Sequence, residues 1–281
     1  MNIKLIECPR DAMQGWSTFI PTADKIAYIN QLLLVGFDTI DFGSFVSPKA
    51  IPQMADTVEV LKHLNMTDSK LLAIIANTRG AQDAVQFDEI NFLGFPFSIS
   101  ETFQQRNTNS SIAESLQSVE AIQSLCVKHN KQLVIYISMG FGNPYGDPYS
   151  AEIALQWVEK LATLGISIFS ISDTVGVSTP SNIKDIFSSL VTNFPFLEFG
   201  AHFHSTRETA LEKIESAYQH DCFRFDGALN GIGGCPMAQN DLVGNIATEQ
   251  LIGYFEQQGI DLGLNKQALE ESILMAQRIF V

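Results

Sequence analysis

A chain of 281 residues that is 46% hydrophobic and only 17% charged has ample material for a large core. Its 31 acidic against 17 basic residues leave a net charge of −14, which argues against nucleic acid or an anionic membrane surface as partner. No apolar run reaches transmembrane length, no positively charged apolar leader opens "MNIKLIECPRDAMQG", and the four cysteines (Cys8, Cys126, Cys222, Cys235) lack CxxC or CxxxC spacing. These features fit a reduced cytoplasmic protein, in which the sequons at Asn65 and Asn109 are chance matches. With no shift in composition and no linker-like tract, residues 1–281 are expected to form a single domain.

Short β-branched or aromatic runs alternate with amphipathic helical patterns. The first strand is predicted over 3–7, followed by the helix "TADKIAYINQLLLVG" with Thr22 as N-cap and Gly36 as stop. Strands at 37–42, 71–77 and 89–95 come next, then "SIAESLQSVEAIQSLCVKH", capped at Ser110/Ser111. A strand at 132–138 precedes "SAEIALQWVEKLATLG", which ends on Gly165, and one at 167–172 precedes "TPSNIKDIFSSLV", which opens with Pro180. The run 197–204 leads into "RETALEKIESAYQH", and 222–229 is the eighth strand signal. Such alternation implies right-handed βαβ units and a parallel sheet. The expected fold is α/β, a (β/α)8 TIM barrel, with an open doubly wound sheet second. The surplus helix 265–281 is an additional C-terminal element that covers an edge or packs on a neighbour.

Within "FGAHFHSTRETA", His202 and His204 share one face of a strand while Phe203 points the other way. Two imidazoles so placed form half of a metal site or a hydrogen-bonded pair closing a core. A barrel gathers its site at the C-terminal ends of its strands. The polar residues interrupting strand ends there are Arg10, Asp11, Asp41, Asp173, His202, His204 and Asn230, and their convergence is expected. The register of "FDTIDF" turns Thr39 and Asp41 inward and Ile40 and Phe42 toward the helices.

Five motifs occur in order: "PRDAMQ", "FVSPKAIPQMADTVEVL", "SDTVGVSTP", "HFH" and "GIGGCPMAQNDLVGNIATE". Together they resemble the 3-hydroxy-3-methylglutaryl-CoA lyases of the metal-dependent TIM-barrel lyase and Claisen-condensing superfamily, from Lys4 to about Gln277. The resemblance implies retro-Claisen cleavage of an acyl-CoA to acetyl-CoA and acetoacetate, and a divalent metal, Mg²⁺ or Mn²⁺, on Asp11, His202, His204 and Asn245. Spacing alone leaves zinc as a competitor, but no cysteine adjoins the histidines and the carboxylate–amide pair suits oxygen-loving ions. Arg10 then steadies the enolate oxygen, Cys235 on a glycine-rich loop delivers a proton, and His202 or Asp41 is the base. The partner is an acyl-CoA substrate, with neither nucleic acid nor membrane, and a homo-oligomer, dimer or larger, is expected.

Departures from the family pattern are several. Asp41 stands where the family has glutamate, Ser205 replaces the aspartate of HxHDT, and Arg207-Glu208-Thr209 replace YGQ. "PRDAMQGWS" has lost a lysine, and Val134 and Ile135 occupy the strand where an arginine is expected. Lys49, Arg79 and Arg106 are the cations available to compensate. Beside the lyase reading stand a condensing relative of the citramalate- or isopropylmalate-synthase type, a ketoacid aldolase, and a decayed barrel that serves as a binding protein.

Overall fold

The computed structural model describes residues 2–234 and 243–281. Its first half runs β1 (Lys4–Glu7), α1 (Pro9–Gln14), α2 (Thr22–Leu33), β2 (Thr39–Ser44), α3 (Thr57–Leu61), β3 (Lys70–Ile74), α4 (Thr78–Ala84), β4 (Ile90–Ser98), α5 (Glu101–Thr108) and α6 (Ile112–Lys128). The second half runs β5 (Gln132–Ser138), α7 (Ala151–Ala162), β6 (Ile168–Asp173), α8 (Pro180–Asn193), β7 (Glu198–Ser205), α9 (Ala210–Tyr218), β8 (Arg224–Gly227), β9 (Gly244–Asn245), α10 (Thr248–Gln257) and α11 (Lys266–Ile279). Strands β1 to β8 pair in parallel with their neighbours, and β8–β1 and β6–β7 pairing closes the ring. The architecture is a TIM barrel with a C-terminal helix.

Local chemistry accounts for most boundaries. The Ser111 hydroxyl accepts from the Glu114 amide while the Glu114 carboxylate accepts from the Ser111 amide, a reciprocal cap that starts α6. Thr179 and Asn182 do the same for α8, with Pro180 at the position where a missing N–H costs nothing. Thr22 is a correction: it is the first residue of α2, Pro21 is the cap, and the Thr22 hydroxyl donates to Asp56 Oδ2 at 2.8 Å instead. The eighth strand is shorter than its apolar run, because Leu229–Gly231 turns into a 3-10 helix with Asn230 at φ 62°. The surplus helix α11 packs on α2, where Gln31 Nε2 donates to the Ala268 carbonyl at 3.2 Å and Trp16 meets Phe280 edge-on at 5.3 Å.

Alternation along the strands divides the interior in two. Ile40, Phe42, Leu71, Ala73, Phe203 and Phe225 face the helices in one continuous apolar layer. Leu72, Ile74, Phe92, Val134, Tyr136 and Ile168 form a smaller cluster on the inward faces of β3 to β6. Burying an Ile, Leu or Phe side chain is worth about 1.5–3 kcal/mol, so the helix-facing layer dominates stability. Most of the remaining inward positions are polar. Lys4, Arg224 and Gly200 sit side by side by register, and so do Ile6, Asp226 and His202 one step higher. Gly200 is required there, since a Cβ would come within 2.9 Å of Arg224 Cδ. Arg224 Nη1 in turn donates to Glu198 Oε1 at 3.2 Å, and Lys4 Nζ to Glu198 Oε2 at 2.5 Å.

Glu7 closes the outer side of the same region. Its carboxyl accepts the Leu229 amide at 2.9 Å and the Thr248 hydroxyl at 2.5 Å, joining the ends of β1 and β8 to the start of α10. Burial raises its pKa to about 8 against the pull of those two bonds. A folded pKa above the unfolded value makes the native state the better proton binder. The associated stability is complete below about pH 4.5 and lost as pH rises through about 8. Glu7→Gln, which cannot ionise, should therefore gain on the wild type by more than about 1.4 kcal/mol between pH 5 and pH 9. Denaturant unfolding at both values checks this, and parallel pH dependences would refute it.

Candidate active site and cation-binding cluster

Pro9 starts α1 immediately after β1, so the first turn of that short helix carries Arg10 and Asp11 into the barrel mouth, both buried. Asp41 reaches the same place from the inward face of β2 and is fully buried. Arg10 Nε lies 3.2 and 3.1 Å from the two Asp41 oxygens, Nη2 lies 2.5 Å from Asp41 Oδ2, and Nη1 lies 2.8 Å from Asp11 Oδ1. One guanidinium thus serves two carboxylates. Burial pushes Asp41 up to about 6 although Arg10 opposes it. Asp11 feels burial too, but Arg10, the two histidines and a bond from Asn245 outweigh it and take Asp11 down to about 2.

His202 and His204 project inward from β7 with ring centres 5.4 Å apart. Each has its Nδ1 occupied from behind. His204 Nδ1 lies 3.0 Å from the Thr174 carbonyl, which can only accept, so that nitrogen carries the proton. His202 Nδ1 lies 3.1 Å from Asp226 Oδ2 on β8, an oxygen that also accepts from Ser170 Oγ at 3.2 Å. Burial, then the charge of His202, lowers His204 to about 4 and keeps it neutral. For His202 burial acts the same way, but Asp226 and then Asp11 overcome it and leave the imidazole above its ordinary value.

Asn245 arrives by an unusual route. Strand β9 pairs antiparallel with the end of β7, setting Asn245 opposite His204 and Gly244 opposite Ser205. Its amide nitrogen donates to Asp11 Oδ2 at 2.6 Å and to the Ile232 carbonyl at 2.9 Å, which leaves the amide oxygen as the end not spent on those bonds. The approach is close enough to need glycine at 233. There φ is +103°, and a Cβ would lie 2.6 Å from Asn245 Nδ2 and 2.9 Å from the Asp11 carbonyl oxygen.

One donor atom from each of Asp11, His202 and His204 lies within 4.8 Å of the others. His204 Nε2 is buried with no hydrogen-bond partner among the described residues, an expensive state for a ring nitrogen unless a cation takes its lone pair. A carboxylate, two neutral-capable imidazoles and an amide oxygen make a mixed oxygen and nitrogen donor set. The group is a possible metal site, and the residues present fit a divalent ion. It opens into a cavity of about 260 Å³ whose polar floor is Arg10, Asp11, His202 and His204 and whose walls include Val46, Ile51, Ile74 and Phe103.

Not every strand-end residue converges. Asp173 is held by Lys213 at 2.8 Å, by the Ser178 hydroxyl and amide and by the Val177 amide, bracing the turn after β6. The Asn230 amide donates to Glu249 in a separate cleft, away from the histidines. Asp41 sits behind Arg10 and does not line the cavity. Ser205 spends its hydroxyl on the Thr206 carbonyl and Thr209, within the turn after β7. Lys49 and Arg79 are exposed, and the Arg106 guanidinium lies 4.6 Å over the Tyr145 ring. Cys235 lies outside the described residues. The residues that strand-end reasoning overlooked are Asp226, Ser170 and Tyr136. The alternation Phe223, Arg224, Phe225, Asp226 was the available signal, since it turns both charges inward.

The HMGL-like family model matches residues 2–274. The chain belongs to that family. It is 35% identical over 262 residues to the hydroxymethylglutaryl-CoA lyase YngG of Bacillus subtilis, covering 93% of this chain and 87% of that one. The human mitochondrial hydroxymethylglutaryl-CoA lyase is 34% identical over 273 residues, covering 96% and 83%. Among solved structures, an HMG-CoA lyase from Acinetobacter baumannii in complex with coenzyme A and 3-methylmalate superimposes with a TM-score of 0.92 at 33% identity, covering 99% of this chain and 91% of that one. The B. subtilis HMG-CoA lyase gives 0.91 at 34% identity, covering 99% and 92%.

The Arg10 cluster generates a direct test. Removing one partner of a buried ion pair typically costs about 3–5 kcal/mol, because the charge left behind is uncompensated. Asp41→Ala should lower the unfolding free energy at pH 7 by that order, measured by urea titration. A loss below about 1 kcal/mol would mean that water or Asp11 alone satisfies Arg10.

Proposed function

We propose that this protein cleaves 3-hydroxy-3-methylglutaryl-CoA to acetyl-CoA and acetoacetate in a reaction that depends on a divalent cation, Mg²⁺ or Mn²⁺. The observation that carries the reading is the buried His204 Nε2, unpartnered among the described residues, beside Asp11 and His202 at the floor of a cavity in an HMGL-like barrel. Asp11, His202, His204 and Asn245 would hold the ion. When bound, such an ion acidifies a coordinated hydroxyl and offsets the substrate's carboxylate charge.

The chain's own groups divide the remaining work. A proton leaves the tertiary hydroxyl, the C2–C3 bond breaks, and its electron pair passes into the thioester as an enolate. Arg10 faces the cavity with a charge already oriented by two carboxylates, so it stabilises that developing negative oxygen without reorganising. His202 is the proton acceptor on the cavity wall, whereas Asp41 reaches the cavity only through Arg10. With Nδ1 committed to Asp226, Nε2 is the nitrogen His202 has for proton transfer, and it takes the proton when that lone pair is not holding the ion. Cys235 then protonates C2 of the enolate to give acetyl-CoA. Apolar walls at Val46, Ile51 and Phe103 exclude water that would otherwise quench the carbanion.

The test is acetoacetate release from 3-hydroxy-3-methylglutaryl-CoA, assayed with Mg²⁺ or Mn²⁺ and again after chelation. Activity that requires the cation is the expected outcome; no acetoacetate under either condition refutes the substrate assignment. The cation assignment has its own measurement. Losing a supporting hydrogen bond to a ligand typically weakens a metal site by roughly 10–100-fold. His204→Ala removes a ligand outright and should exceed that loss in Mn²⁺ calorimetry, and unchanged Mn²⁺ affinity would place the ion elsewhere.

A further inference from the structure

The two histidines are alike in type, strand and face but are anchored to different things, and the difference points to a further working residue. His204 leans on a neutral backbone carbonyl, that of Thr174. His202 leans on a carboxylate, Asp226, delivered from the neighbouring strand by the register that sets His202 beside Asp226. We infer that Asp226 is the positioning residue for His202: it accepts the Nδ1 proton, fixes the ring's tautomer and rotation, and so presents Nε2 to the cavity. This rests on the lyase reading for its kinetic consequences but not for its structural content.

Several observations support it. Asp226 is buried inside the barrel, and its Oδ2 accepts from both His202 and Ser170 Oγ, while Oδ1 has no hydrogen-bond partner among the described residues. Tyr136 packs its ring perpendicular to His202 at 5.7 Å, a further contact on the same imidazole. Arg224, two residues earlier on the same face of β8, supplies positive charge nearby and keeps a buried carboxylate tolerable. Asp226 itself is absent from the cavity wall, so it acts through His202 and touches no substrate. An imidazole whose rear nitrogen is fixed by a carboxylate is a more basic and better oriented donor than one left to rotate.

The experiment begins on metal-free protein, by long-range ¹H–¹⁵N correlation NMR of histidine-labelled samples. His202 in the wild type should carry its proton on Nδ1. Asp226→Ala should lose that fixed tautomer, cut the rate of acetoacetate formation (kcat) roughly 10–100-fold and leave KM within about twofold. Asp226→Asn should keep the Nδ1 tautomer and most of kcat where its amide oxygen faces Nδ1, and move the proton to Nε2 and lose kcat where its NH2 does, as the same spectra report. The proposal falls if wild-type His202 is protonated on Nε2, a measurement that needs no variant to fold. It also falls if Asp226→Ala leaves tautomer and kcat unchanged, or if an Asp226→Asn variant that keeps the His202 proton on Nδ1 is as impaired as the alanine variant. A wild type that shows the Nδ1 tautomer but never cleaves the substrate would instead sink the lyase reading alone.

Discussion

Everything at the mouth of this barrel depends on one guanidinium shared between two carboxylates. Placed alone in that buried spot, Asp11 would tend to take up a proton and would be a poor partner for a cation. Arg10 prevents this, while Asp41 prevents Arg10 from neutralising Asp11 completely. The cluster keeps one net negative charge next to two imidazoles, in a region where weak dielectric screening makes each charge count. The shorter side chain at position 41 fits this role well. An aspartate on β2 meets Arg10 with both oxygens and has no reach left for the cavity.

The barrel lumen shows how the same constraint spreads. On the β3 to β6 side the inward residues are apolar and fill space, as barrel interiors usually do. On the β7, β8 and β1 side they are Lys4, Arg224, Glu198 and Asp226, a ladder of charges running up to His202. Half of the interior therefore packs, and the other half orients. That division explains why a glycine is required at 200 and why the apolar inner cluster is so small.

Much of this was legible in the chain. Alternation located eight strands because one face of each had to be apolar, and the cap at Ser111 and the proline at 180 marked helix starts through ordinary backbone needs. The pair His202 and His204 stood out because a strand buried on both faces has no use for two imidazoles on one of them. Other features left no local trace. Strand β9 is two residues long, too short for any periodicity, yet it delivers Asn245. Asp173 looked like a site residue because it ends a strand, but its partner Lys213 lies 40 positions away on α9, and only the fold reveals that it is a brace. Asp226 was overlooked for the opposite reason, since a lone acid inside a strand pattern is easily read as an exposed position.

The antiparallel pairing of β9 with β7 has a consequence for how this molecule can diverge. Gly231 is tied back to the Ala228 carbonyl at 2.9 Å, and Gly244 and Asn245 are tied to the last two residues of β7. Main-chain pairing therefore holds position 245 opposite His204, so the side chain there can be exchanged while the backbone stays in register.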